Sequence, residues 1–454
     1  MTLYLFFTVL IVLILRLTII RLHKHHFSDS LIETGDSAGH MIFIRQLKKD
    51  IKSKYITSYL IKDDAKISYP FLFHRIASIF PTHIIEKRFL INLFLLIINL
   101  ILVNLICFNF FGEFKKINFV VFNLLFVLSI SNNFFFSNNI SYLDIGERYL
   151  SRSLVSFYYL FVFYFLNSFD FIEGSLIAIF AALSLSASKF ARQAVIFPTL
   201  IICVFHYQLF IPFLAGFLLL LIFDYKKFLY SIRYQIIHLF YYKKSISKSF
   251  MAKNALSRFI NFGDLKNLFL NLSRDKIGTI IFKEPIRSII FLPEIFVLIS
   301  IIYFGSDQFN DLSELKIILA VLLVYLLTST NFLNFLGESY RYIEYSIYFL
   351  GPFLISNYLL ELEFLTGVYL YILYNLIIIL FYYIYLNRPK DNNFKQDLKD
   401  MILSIDFTSR SNVLTIPLRT IHGIILNSEA NGLWWQPESI NRFVIKKIIE
   451  QYPF

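Results

Sequence analysis

The chain has 454 residues, of which 57% are hydrophobic and 16% charged, and its formal net charge is +12. A soluble globular domain carries about 25% charged residues, so a chain this apolar, with 54 Phe, is not expected to hide its surface in a water-soluble core; lipid must solvate much of it. The Lys and Arg residues cluster between apolar runs, which is the positive-inside pattern with attraction to anionic membrane lipids, so nucleic acid is not an expected partner.

A helix needs about 20 apolar residues to cross a bilayer. Apolar runs predict spans at 2–20, 89–111, 118–137, 153–168, 171–187, 193–206, 209–223, 286–304, 315–336, 342–360 and 364–387. The expected fold class is therefore all-α, a polytopic transmembrane bundle of about ten to twelve helices. The first run, Thr2 to Ile20, lacks a basic leader and a small-residue cleavage site and reads as a retained helix. Residues 171–223 read either as three tilted helices or as a hairpin that does not fully cross. The transmembrane domain is expected over 1–387, with a polar tail over 388–454.

Polar segments separate the runs: a first loop at 21–88, a charged connection at 138–152 and a Lys-rich loop at 224–285. Charge places 224–285 and the tail in the cytoplasm, whereas strict alternation from a cytoplasmic N-terminus places 224–285 outside. Cys107 and Cys203 each lie within an apolar run, so neither a disulfide framework nor a thiolate metal site is expected. No internal repeat is visible.

The first loop carries LIETGDSAGHMIFIRQLKKDI. Asp36 and His40 are four apart and share a face if helical, and Ile44, Leu47 and Ile51 continue it. Arg45, Lys48 and Lys49 point elsewhere, the pattern of a short amphipathic helix on a membrane surface. SYPFLFHRIASIFP predicts a second such helix, with Pro70 at its first turn. The plain structural roles are an N-cap for Asp36 and interfacial polar tips for His40 and His74. His23, His25 and His26 read as a cationic flank of the first helix, and no metal ligands are assigned.

Three clusters interrupt the hydrophobic helices: Glu147, Arg148 and Arg152; Lys189, Arg192 and Gln193; and Glu338, Arg341 and Glu344. Ionisable groups at membrane depth are costly and mark sites or ion pairs. In the third cluster the spacing of three allows all members to meet on one helix face as a structural staple. The functional alternative is a phosphate site, since Arg offers bidentate contact and Lys a point charge.

The order of Asp36–His40, Tyr69–His74, Lys189–Ala194 and Gly337–Tyr342 resembles the GT-C superfamily of polytopic glycosyltransferases. The likeness is to bacterial proteins of surface-polysaccharide clusters and covers roughly residues 1–360. It implies a multi-pass protein of the bacterial inner membrane. It also implies a polyprenyl-phosphate-linked sugar donor, a glycan or lipid-linked acceptor, and no cofactor. Asp36 takes the general-base position, with His40 beside it. The substrate-binding set is Glu33, Tyr69, His74, Arg148, Arg152, Lys189, Arg192, Gln193, Glu338, Arg341, Tyr342 and Glu344. Arg341, with Lys189 or Arg192, would neutralise the phosphate leaving group. No second acidic residue follows Asp36, so metal dependence of the oligosaccharyltransferase type is not expected. Two other readings stand beside this one: a polysaccharide polymerase or ligase acting on lipid-linked repeat units, and a lipid-linked oligosaccharide flippase.

Overall fold

A computed structural model describes residues 36–49, 56–57, 66–67, 70–86, 89–111, 145–244, 313–329 and 339–347. It also describes scattered positions within 6–17, 121–124, 333–336 and 369–380, and the pairs 412–413 and 431–432. Most of the expected span at 118–137, the span at 286–304, most of the tail, and Glu33, Tyr69 and Glu338 lie outside this set. The fold is all-helical apart from two isolated two-residue pairings. β1 (Ile56–Thr57) lies antiparallel to β2 (Lys66–Ile67), and β3 (Asn412–Val413) lies parallel to β4 (Asn431–Gly432).

In chain order the helices are α1 (Asp36–Lys49), α2 (Leu72–Ile79), α3 (Thr82–Glu86) and α4 (Phe89–Phe111). There follow α5 (Arg148–Ser168), α6 (Phe171–Ala187), α7 (Lys189–Phe205), α8 (Phe210–Lys244), α9 (Ser313–Thr328) and α10 (Tyr340–Ile347). Residues 171–223 thus form three helices. Local chemistry sets their ends. Phe169 closes α5 in a left-handed conformation at φ 53°, and Asp170 caps α6 by accepting from Ile172 N–H. Ser188 alone joins α6 to α7, and its Oγ accepts from Ala191 N–H at 3.0 Å.

α5 is the axis of the bundle. It packs against α4, α6, α7, α9 and α10 and is buried over almost its whole length. Several of its polar groups are matched by hydrogen bonds to neighbouring helices. Ser153 Oγ accepts from Asn99 of α4 at 2.6 Å, Tyr159 donates to the Ala194 carbonyl at 2.7 Å, and Tyr158 meets Thr199 Oγ1 at 2.9 Å. Small residues let α6 and α8 approach closely, since a Cβ on Gly216 would fall 2.6 Å from Ala181 Cβ.

The contacts fix helix directions. Glu147 and Lys189 interact at one end, while Tyr158 and Thr199 meet further along, so α5 and α7 run parallel. Arg148 Nη2 lies 3.5 Å from the Tyr340 hydroxyl, and Ser156 donates to the Tyr345 carbonyl at 2.7 Å, so α10 runs the same way. The N-termini of α5, α7 and α10 therefore gather at one end of the bundle.

Two sequence expectations change. The Lys-rich segment does not begin as a loop at residue 224, because α8 continues to Lys244. It does so bent, by 116° between Tyr207–Phe223 and Tyr225–Ile236. Phe217 and Phe228 meet edge to face with centroids 6.0 Å apart, whereas eleven residues of straight helix would rise about 16 Å. The second arm buries Phe228, Ser231 and Gln235, one face at helical spacing, while Lys226 is exposed. Likewise the charged connection ends at Glu147, because Arg148 to Arg152 form the first turns of α5.

Among the described residues one helix, Arg148–Ser168, is long and apolar enough to cross a bilayer by itself, and the bent pair passes the same test together. Leu90–Ile106, Phe171–Ala187 and Lys316–Thr328 are shorter apolar helices. Large apolar side chains face outward on α7 and α8: Val204 is 79% exposed, Ile222 79% and Phe223 81%.

Candidate functional site

The site forms where the three N-termini converge, beneath the helices of the first loop. α1 packs on α2, and α2 in turn touches α6. Lys48 at the end of α1 donates to the Phe80 carbonyl at 2.8 Å and to Thr82 Oγ1 at 3.2 Å, locking the pair. Ile44 and Leu47 of α1 and Phe71, Phe73 and Ala77 around α2 are buried. These helices were expected to lie on the membrane surface with His74 as a polar tip. Instead α2 turns Phe73, His74, Ala77 and Ser78 inward as one buried face, while Ile79 on the other side is exposed. His74 is 0% exposed.

His74 sits among the rings of His40, Phe43, Phe71 and Phe73. Its Nε2 lies 2.7 Å from His40 Nδ1. Burial, with His40 acting in the same direction, holds the His74 imidazole well below the usual histidine pKa, so it is neutral at pH 7. Glu147, the residue before α5, completes a group with the two histidines: one ligand atom from each lies within 4.8 Å of the others. The sequence reading assigned no metal ligands, yet three ligand-bearing side chains from distant segments meet here.

The cationic clusters are redistributed relative to expectation. Glu344 interacts electrostatically with Arg341 of its own helix, and its ion pairs reach across to α5. Its Oε2 accepts from Arg148 Nη2 at 2.6 Å and its Oε1 from Arg152 Nη1 at 2.9 Å. Both guanidiniums come from α5, so the clamp joins α5 to α10. Helix α10 comprises only Tyr340–Ile347, and packing against α5 turns Glu344 inward where local spacing alone would have left it beside Arg341. Arg341 instead stacks over Phe190 at 4.0 Å from the ring centroid. Tyr340 hydroxyl lies 3.5 Å from Arg148 Nη2.

Arg192 is tied into the scaffold as well. Its Nε donates to the Leu185 carbonyl, its Nη1 donates to Gln235 Oε1 at 3.2 Å, and it lies over Phe228. Gln235 Nε2 donates to the Lys189 carbonyl at 3.1 Å. The folded-under arm of α8 thus seals the start of α7, and Lys227 from the same arm lies over Phe71 at 5.5 Å. Lys189 faces Glu147 and Arg192 electrostatically. Gln193 and Tyr342 are buried, Tyr342 against Phe197. Asp36 opens α1, and its side chain is outside the described set.

Among the described side chains, five cations (Arg148, Arg152, Lys189, Arg192 and Arg341) thus gather at one bundle end with two carboxylates, Glu147 and Glu344. The positive ends of three helix dipoles point to the same place. Such a place attracts an anion. Sequence reasoning missed Gln235 and Phe228, which it placed in a loop. It saw Glu147 but not its histidine partners, since nothing local links residues 40, 74 and 147. Compared with family models, with curated proteins and with solved structures, the chain matches none.

Proposed function

We propose that this chain is a multi-pass membrane glycosyltransferase that takes a sugar from a polyprenyl-phosphate-linked donor and gives it to a glycan or lipid-linked acceptor. The carrying observation is the gathering of cations, in excess of carboxylates among the described side chains, at the shared N-terminal end of α5, α7 and α10, roofed by α1 and α2. The outward apolar side chains of α7 and α8 support the membrane setting, because water does not solvate such a belt cheaply. A donor lipid would lie along that belt and present its phosphate to the cationic end.

In this reading the acceptor hydroxyl attacks the anomeric carbon. Its proton passes to the Asp36 carboxylate as general base. The bond from the anomeric carbon to the phosphate oxygen breaks, and the polyprenyl phosphate leaves with the electron pair. Arg341 and Lys189 stabilise the charge that develops on that oxygen. Arg148 and Arg152 hold the scaffold through Glu344, and Arg192 holds it through Leu185 and Gln235. The dominance of Arg in the cluster favours one second reading, a polymerase or ligase whose leaving group is a diphosphate.

Two measurements test the proposal. In native mass spectrometry, the purified chain should retain undecaprenyl phosphate over neutral undecaprenol by about tenfold or more, the scale of a charge-assisted contact. Arg341→Ala and Lys189→Ala should each reduce that preference, and equal retention of both lipids would overturn the anion site. In membranes supplied with polyprenyl-phosphate hexoses, Asp36→Asn should stop transfer at unchanged protein level. Near-normal transfer would remove Asp36 from the mechanism. Turnover of diphosphate-linked repeat units alone would select the second reading.

A further inference from the structure

We propose that His40, His74 and Glu147 form a binding site for a divalent transition-metal ion of the zinc class. The three come from separate elements: His40 from the middle of α1, His74 from α2, and Glu147 from the turn that starts α5. Their ligand atoms lie within 4.8 Å of one another, and the two imidazole nitrogens face each other at 2.7 Å. The site is enclosed. His74 is fully buried, the Phe43, Phe71 and Phe73 rings surround it, and Gly146 brings backbone against the His40 ring.

The donor set decides the ion. Two imidazoles and one carboxylate suit zinc and its first-row neighbours; magnesium and calcium prefer all-oxygen shells. Three protein ligands leave a fourth position open, the arrangement of reactive rather than purely structural zinc sites. A tetrahedral ion with bonds of about 2.05 Å holds its nitrogen ligands about 3.3 Å apart. The rings therefore separate by about 0.6 Å to admit it, a movement within reach of α1 and α2 sliding on their shared contact. The simpler use of the same geometry is a direct hydrogen bond between two neutral imidazoles, which would account for the 2.7 Å separation without metal.

Bound metal would pin the first-loop helices to the start of α5. It would also offset Glu147 beside Lys189, raising the positive potential of the bundle end. The site does not depend on the glycosyltransferase reading: it stands on three side chains and is read out by metal content alone.

The test uses the full chain purified in detergent through an affinity tag free of histidine. After equilibrium dialysis against zinc chloride and then metal-free buffer, elemental analysis should find about one zinc per chain. Cobalt(II) loading should give the intense visible bands of a four-coordinate N/O site, displaced by zinc. His74→Asn, His40→Asn and Glu147→Gln should each lower the zinc content at least tenfold. Glu147→Gln keeps shape and hydrogen-bonding capacity, so a monodisperse, normally helical variant that has lost zinc separates ligation from folding. Replacing His23, His25 and His26 together should leave the zinc in place. Less than a tenth of an equivalent in the monodisperse parent overturns the proposal. So does stoichiometric zinc that survives Glu147→Gln and His74→Asn combined, or that disappears with His23, His25 and His26.

Discussion

Replacing Glu344 by Gln should be among the most damaging isosteric changes in the described bundle. Glu344 is buried, and its two oxygens are taken by Arg148 at 2.6 Å and Arg152 at 2.9 Å. The Arg152 side chain is 1% exposed and that of Arg148 12%. Gln keeps the shape but removes the charge and turns an N–H₂ group toward one guanidinium. Two buried cations are then left without their counter-ion. Breaking a buried pair by removing one partner costs about 3–5 kcal/mol, whereas replacing both partners by apolar residues is often neutral. The assay is unfolding in mixed micelles by detergent titration, followed by helical circular dichroism. Glu344→Gln should lose about 3 kcal/mol or more, and Arg152→Met with Glu344→Met should recover most of it, the better exposed Arg148 turning to solvent. A loss below about 1 kcal/mol, the range of an exposed ion pair, would refute the reading of this clamp as a buried structural contact.

Arg341→Ala should behave in the opposite way, keeping most of the stability, because its stacking on Phe190 is worth about 0.5–2 kcal/mol, while reducing the preference for undecaprenyl phosphate. A loss of stability matching that of Glu344→Gln would return Arg341 to the scaffold. Gly216→Ala should destabilise by about 1–3 kcal/mol, since the new Cβ would fall 2.6 Å from Ala181 Cβ and 2.9 Å from the Ala178 carbonyl; unfolding titration reads this, and a neutral result would mean that α6 and α8 part easily. Tyr159→Phe should cost about 1 kcal/mol by removing its buried bond to Ala194, and a stabilised variant in the same titration would argue against that bond.

The sequence alone carried the helix class and several boundaries. The runs at 89–111 and 171–187 coincide with α4 and α6, because an uninterrupted apolar run between polar stretches leaves a helix few other ends. The amphipathic spacing from His40 to Leu47 and around Phe73 to Ala77 likewise placed α1 and α2. It could not carry the continuation of α8. There the buried face holds one apolar residue, Phe228, beside polar Ser231 and Gln235 and among Lys226, Lys227 and Arg233, and only the covering surface of α7 explains why that face is buried.

The candidate residues were legible one at a time, since charge within an apolar run is conspicuous at any position. Their partners were not. Spacing offered Arg341 to Glu344, but parallel packing of α10 on α5 gave Glu344 to Arg148 and Arg152 instead. Spacing also left His40, His74 and Glu147 as three unrelated residues. Side-chain pairing within a helix is a local property that the sequence by itself determines. Pairing between helices depends on their direction, rotation and depth, which many weak apolar contacts set together, and only the tertiary structure decided it.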